Sequence, residues 1–320
     1  MPIQIARKPA AIGSDLAKSA RDAILSFLQG CAIPYIPATV DENFYQECYN
    51  ECVRRKYPVE GKYSVRTYLR QGVAIAFTSY SHLPEAVMVE IALYTACAIY
   101  MDDMAGRGGD MEAAYLFNER FVQKRNHGDK NLDAFADSLS KLSQYASRVV
   151  YNIIVTSTLN GVTALLVECE TQNMLLSRES QNYSNYYRVM SGFSEAYGYL
   201  AFPKEIPLVN YIQAMPDLMI FINNTNDILS FYKEEVGGEA VNHVSILAAC
   251  QGISKIDALR QLVDATVEAH NKILRILEPR SAAYNAYIKF SRGFVDFHIA
   301  AEDRYKLDEL CLRNGRDLEV

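Results

Sequence analysis

The chain contains no tryptophan, and across its 320 residues glycine (16) and proline (10) are sparse. So few breakers leave long stretches free to run as helix, and no stretch alternates apolar and polar residues as a strand would, which argues against β-rich classes. Basic residues are not in excess: 32 Lys and Arg stand against 38 Asp and Glu, a net charge of −6. That balance lacks the basic footprint of a nucleic-acid binder. Residues 1–9 carry no hydrophobic signal core, and by inspection no apolar run reaches the roughly 18 residues of a membrane span. The seven cysteines are odd in number and scattered, which reads as reduced thiols rather than a disulfide framework. The expectation is a cytoplasmic protein without nucleic-acid partner or membrane span. Cys48 and Cys52 share a helix face, but no neighbouring His completes a zinc site, so core packing is the better reading.

Apolar residues, by contrast, make up half the chain, enough for one large core. Helical spacing recurs from Leu16 through Leu28 up to Gly30, from an Asp41 cap to Pro58, over 65–80, and over 85–104. That last stretch is apolar on most sides and should be central. Asp110 can cap a helix carrying Leu116, Phe117 and Phe121. A helical pair is expected over 131–178 with a weak break at Asn160-Gly161, then one aromatic-rich helix over 182–202. Pro216 should start or kink the next helix, and Gly237-Gly238 should end it. Three more helical stretches follow, broken at Gly252 and Pro279. The expected fold class is all-α, a single domain over 1–320.

Within that pattern, Asn226, Ser230 and Glu234 recur every four residues in the run Asn226-Asp227-Ile228-Leu229-Ser230-Phe231-Tyr232-Lys233-Glu234. Residues four apart drift by only about 40° around a helix, so the three side chains line one face. A carboxamide, a hydroxyl and a carboxylate in a row can share one hard cation such as Mg²⁺. They can also be an ordinary solvated stripe; their immersion among Ile222, Ile228, Leu229 and Phe231 argues for partners instead. Asp102 and Asp103 are the second acidic feature, at the C-terminal end of the most apolar stretch. Carboxylates there oppose the helix dipole, and an unfavourable local choice suggests function. Two acidic sites beside an apolar, aromatic interior fit an isoprenoid diphosphate, whose charge cations would offset and whose tail the interior would hold.

On these motifs the sequence resembles the class I terpene cyclases, in particular the fungal trichodiene synthase group. That family's second metal motif, Asn/Asp-Asp-x-x-Ser/Thr-x-x-x-Glu, is matched in full by Asn226, Asp227, Ser230 and Glu234. Its first motif, Asp-Asp-x-x-Asp/Glu, is matched by Asp102 and Asp103, while Gly106 stands where the third acid belongs. Asp303-Arg304-Tyr305 resembles the diphosphate-contacting Arg-Tyr pair, and Tyr187-Arg188 the segment with the diphosphate-sensing arginine. The matches run from about Asp102 to Tyr305; the connector between Arg188 and Asn226 is a few residues shorter than the family's.

The resemblance implies a class I terpenoid synthase helical bundle and Mg²⁺-dependent cyclisation of farnesyl diphosphate, with diphosphate released. Three Mg²⁺ ions are expected, held by Asp102 on one side and by Asn226, Ser230 and Glu234 on the other. Arg188, Lys233, Arg304 and Tyr305 should donate to the diphosphate, and Asp103 should pair with Arg304 when the site closes. Asp102, Asp103, Arg304 and Tyr305 are thus the expected catalytic set. With Gly106 in place of the acid, either the motif works without it, or Asp110 or a water substitutes, or the first metal site is weakened. A homodimer is expected only by analogy.

A carbocation needs an electron-rich, inert wall. Phe77, Tyr94, Phe193, Tyr197, Phe221 and Phe297 are the candidates, each equally able to be plain core. Two other readings stand: an isoprenyl diphosphate synthase, less favoured because the second motif is not Asp-rich, and a non-catalytic isoprenoid-binding member.

Overall fold

The computed structural model describes residues 14–36, 39–106, 111–239, 242–300 and 302–312. Among these, every regular element is helical. The first four helices are α1 (Ser14–Gly30), α2 (Glu42–Arg54), α3 (Val65–Ser79) and α4 (Glu85–Gly106). Two short helices follow, α5 (Glu112–Tyr115) and α6 (Phe117–Gln123), then α7 (Lys130–Lys141) and the long α8 (Arg148–Thr171). The next three are α9 (Tyr183–Ser191), α10 (Ser194–Leu200) and α11 (Met215–Gly237). Then come α12 (His243–Gln251), α13 (Lys255–Ile276), α14 (Ala282–Ala300) and α15 (Glu302–Tyr305), followed by a 3-10 turn at Leu307–Leu310.

The local signals explain most of these boundaries. The side chain of Asp41 accepts from the Phe44 N–H at 2.7 Å, capping α2, and Pro216 occupies the first turn of α11, where its missing N–H costs nothing. Gly238 adopts φ 70° and closes α11 with a left-handed cap.

Three expectations are corrected. The break expected at Asn160-Gly161 lies instead at 142–147, where Ser147 caps α8 through the Val150 N–H. Gly161 stays inside α8 because it makes room for a ring: a Cβ there would sit 2.5 Å from Phe193. The single helix expected over 182–202 is two, parted at Phe193, which takes φ 50°. The helix expected after Asp110 is the pair α5 and α6, and Asp110 itself lies outside the described residues.

The centre is α4, most of whose side chains, including Ile91, Leu93, Tyr94 and Met101, are buried. Each fully buried side chain of this kind contributes about 1.5–3 kcal/mol. Helix α3 lies between α4 and α14 at very close range: a Cβ on Gly72 would meet the Ala92 carbonyl oxygen at 2.1 Å, and one on Gly293 that of Thr78 at 1.9 Å. Cys48 and Cys52 are fully buried core residues of α2. Helix α8 is long and apolar enough, by length and composition alone, to cross a membrane, which corrects the reading of the sequence by inspection. Its buried face, Ile154, Thr158, Val162 and Leu165, packs within the bundle.

Candidate active site

Helices α4 and α11 wall a cavity of about 370 Å³. From α4 come Thr95, Ala98, Ile99 and Asp102, spaced three, four and seven residues apart as one helical stripe. From α11 come Ile222, Asn223, Asn226, Asp227 and Glu234. The two acidic features of the sequence thus open into one space. Asp102 is exposed to that space, yet protein surrounds it closely. Burial raises its pKa, the neighbouring Asp103 adds to the rise, and Arg304 works against it.

On α11 the expected ligand face is already hydrogen-bonded to itself and its neighbours. Ser230 Oγ donates to Glu234 Oε1 at 2.6 Å. Burial lifts the Glu234 pKa to about 7, only partly offset by Lys233 and Ser230. The Asn226 Oδ1 accepts from Arg188 Nη2 at 3.2 Å, and its Nδ2 lies 3.2 Å from His298 Nε2 and 3.4 Å from the Tyr305 hydroxyl. Burial holds the His298 pKa down at about 4.

Asp227 is the hub of the polar end. It binds the Arg188 guanidinium through both carboxylate oxygens, at 3.0 and 2.9 Å, and His243 Nδ1 at 2.6 Å. Burial works to raise its pKa, but Arg188 and His243 more than offset this and hold it below the usual carboxylate range. Arg304 and Tyr305 line the same end, hydrogen-bonded to one another, with Asp102 and Asp103 close enough to raise the pKa of Arg304 against its burial. Hydrocarbon and rings line the same cavity: Ile75, Ile222, Phe193, Tyr197, Phe294 and Phe297.

A family model described as Trichodiene synthase (TRI5) matches residues 26–318. The chain belongs to the trichodiene synthase family. Among curated proteins it is 34% identical over 290 residues to alpha-cuprenene synthase COP6 of Coprinopsis cinerea, covering 90% of this chain and 88% of that one. It is 32% identical to Monoterpene synthase 25 of Postia placenta, over 77% of this chain and 74% of that one. A solved structure of linalool/nerolidol synthase from Streptomyces clavuligerus superposes with a TM-score of 0.64 at 14% identity, over 83% of this chain and 99% of that chain. That likeness shows the all-α fold of the class I terpene synthases. The protein is a terpene synthase, an enzyme of the lyase class that acts on prenyl diphosphates.

Within this terpene synthase, Asp102, Arg188, Asn226, Glu234, Arg304 and Tyr305 all line the cavity. Ser230 is buried one turn from Glu234, and Lys233, not itself a lining residue, lies 3.4 Å from Glu239 and 3.9 Å from Glu234, which both line the cavity. The side chain of Asp303 lies outside the described residues. Of the six aromatic candidates, Phe193, Tyr197 and Phe297 line the cavity. The other three are corrected to core. Phe77 packs on Phe44, Tyr94 is fully buried and bonded to Thr158, and Phe221 is fully buried against Phe27, His270 and Tyr287.

Sequence reasoning missed Glu168, which lines the cavity from α8, accepts from the Tyr187 hydroxyl at 2.8 Å and has its pKa raised by burial. The signal that found Asp102, an acid ending an apolar run, was there in Leu165-Leu166-Val167-Glu168. It also missed Asp227 as an anchor and His243 behind it, for which no local pattern exists.

The residues present fit Mg²⁺. Asn226, Ser230 and Glu234 offer hard oxygen donors on one face, with Asp102 and Glu168 also lining the cavity. Two buried polar atoms at the cavity, Asn223 Oδ1 and His243 Nε2, have no hydrogen-bond partner among the described residues, as groups awaiting a ligand do. No three acidic, His or Cys side chains converge as a metal cluster among the described residues.

Proposed function

We propose that this terpene synthase ionises farnesyl diphosphate in a Mg²⁺-dependent step and cyclises the allylic cation to a sesquiterpene hydrocarbon or alcohol, releasing diphosphate. The observation that carries the reading is the mixed lining of one cavity. Asp102, Asn226 and Glu234 open into the same space as the rings of Phe193, Tyr197, Phe294 and Phe297 and the aliphatic Ile75 and Ile222. Mg²⁺, when bound, supplies the positive charge that lets diphosphate leave. Asp102 and Glu168 would hold it from one side, and Asn226, Ser230 and Glu234 from the other.

Arg188, Arg304 and Tyr305 donate hydrogen bonds to diphosphate oxygens. Arginine suits this because its fork is planar and permanently charged. Arg188 must turn away from Asp227 to do so, and His243 keeps Asp227 partnered when it does. Lys233 reaches the diphosphate only by leaving Glu239. Asp103 pairs with Arg304 as the site closes and water is excluded. The faces of Phe193, Tyr197 and Phe297 then steady the cation, at roughly 0.5–2 kcal/mol each. Gly106 leaves the first motif without its third acid, and Glu168, which lines the same cavity as Asp102, would be the acid that stands in for it.

Incubation with farnesyl diphosphate, with and without Mg²⁺, followed by gas chromatography–mass spectrometry, tests the reading. A cyclic C15 product formed only with the metal supports it. Turnover of geranyl diphosphate alone would make the substrate C10, the size class that the name of the Postia relative suggests. Joining of dimethylallyl and isopentenyl diphosphates would make the protein a chain-elongating synthase.

A further inference from the structure

Of the three residues expected to hold Mg²⁺ on α11, Asn226 alone has two unlike ends. Its Oδ1 accepts and can bind a cation, whereas its Nδ2 only donates and cannot. A half-turn of the amide exchanges them, so something must fix which end the cavity receives.

Three side chains touch the amide, and they differ in what they can fix. Arg188 donates to Oδ1 at 3.2 Å, so it competes with a cation for that oxygen and does not by itself present it to one. The Tyr305 hydroxyl, 3.4 Å from Nδ2, can donate or accept and so accommodates either end. His298 cannot. Its Nδ1 lies 2.7 Å from the Phe294 carbonyl oxygen, and a carbonyl only accepts, so Nδ1 carries the proton. A neutral imidazole protonated at Nδ1 carries a lone pair at Nε2, and that lone pair can accept only from the nitrogen end of the Asn226 amide, which lies 3.2 Å away. The ring has no freedom to do otherwise. It is fully buried, with the rings of Phe294, Phe297 and Tyr305 at 4.9, 4.9 and 4.6 Å.

We propose that His298 is a positioning residue: through the chain Phe294 C=O, His298, Asn226 it holds the carboxamide nitrogen inward and presents Oδ1 to the cavity as a preset Mg²⁺ ligand. The inference rests on the Mg²⁺ reading of Asn226 given above and adds the residue that makes that ligand usable. Outer partners of this kind commonly govern metal affinity without touching the metal.

The test is calorimetric binding of inorganic diphosphate at increasing Mg²⁺, with no turnover involved, in the wild type and in His298→Phe, His298→Gln, Asn226→Asp and the double variant His298→Phe with Asn226→Asp. Phenylalanine fills the aromatic pocket but offers no lone pair. His298→Phe is expected to raise the Mg²⁺ concentration for half-maximal diphosphate binding about tenfold or more. His298→Gln, whose amide oxygen can accept from Nδ2, should recover most of that loss. With Asn226→Asp both ends of the side chain are acceptors, so adding His298→Phe should shift the midpoint by less than about twofold. An equal shift in both backgrounds would mean that His298 matters only to packing and would overturn the proposal, as would no shift in His298→Phe alone. Diphosphate binding by the wild type that ignores Mg²⁺ would overturn the metal reading itself, and the inference with it.

Discussion

The guanidinium of Arg188 grips the carboxylate of Asp227 at two points, with Nε 3.0 Å from Oδ2 and Nη2 2.9 Å from Oδ1. Side-chain exposure is only 15% for the arginine and 9% for the aspartate, so neither has bulk water as an easy alternative. Asp227→Asn leaves a buried arginine without its counter-charge. It should lower stability by about 3 kcal/mol in urea unfolding at neutral pH. A change under about 0.5 kcal/mol would show that the pair is of little consequence.

Glu234 makes stability fall with pH in a defined window. Its folded pKa is raised from an ordinary 4.5 to about 7, so between these values the folded state holds a proton that the unfolded state has lost. Stability therefore declines as pH rises from about 4.5 to about 7. His270 and His298, both lowered to about 4 by burial, act oppositely, losing stability as pH falls from about 6.5 toward 4. The clean readout is the difference between the wild type and Glu234→Gln. The wild type should lose about 2–3 kcal/mol more than the variant across that rise. Parallel pH profiles would contradict the buried-carboxylate account.

Helix α3 depends on two glycines at its contacts. Gly293→Ala puts a methyl group against Thr78 backbone, with the carbonyl oxygen at 1.9 Å and the carbon at 2.5 Å, which no side-chain rotation relieves. A loss of at least about 1–3 kcal/mol is expected. Gly237→Ala, where the nearest foreign atom is 3.7 Å away on the flexible Glu239 side chain, should be neutral or stabilising by about 0.5 kcal/mol. Thermal melts of the two variants decide the matter.

The aromatic wall predicts a contrast at one position. Tyr197 lines the cavity and its hydroxyl bonds Thr95 Oγ1 at 3.1 Å. Tyr197→Phe keeps the ring and should leave product ratios nearly as they were. Tyr197→Leu removes the π face and should shift ratios by up to about tenfold, the reach of a single cation–π contact. Product profiles by gas chromatography from the same substrate give the answer. An equal shift in the two variants would place the effect in the lost hydroxyl, and no shift in either would take the ring out of the account.

Much of this could be read before the fold was known, and the rest has identifiable reasons. Gly30, Pro216 and Gly238 act through their own backbones and Asp41 through a side chain three residues from its partner, so the helix ends they set were legible. Asn226, Ser230 and Glu234 share a face by helical geometry alone, and Asp102 was marked by a charge placed against its helix dipole. The break at Phe193 was hidden because a non-glycine residue takes a left-handed conformation there, with its ring packed over Gly161. Phe77, Tyr94 and Phe221 have the same helical spacing as Phe193 and Tyr197; only tertiary packing separates core from wall. The partners Asp227–His243 and Asn226–His298 are 16 and 72 residues apart, beyond any local pattern.

The central claim is that Asp102 and the α11 face close on the same diphosphate through shared cations. A crystal structure of the protein grown with Mg²⁺ and inorganic diphosphate tests it most directly. The account predicts cations at about 2.1 Å from Asn226 Oδ1, Ser230 Oγ and a Glu234 oxygen. A second cation should join Asp102 to the same diphosphate, with Arg188 released from Asp227. Diphosphate bound elsewhere, or Asp102 and Glu234 turned out of the cavity with Arg188 still on Asp227, would contradict it.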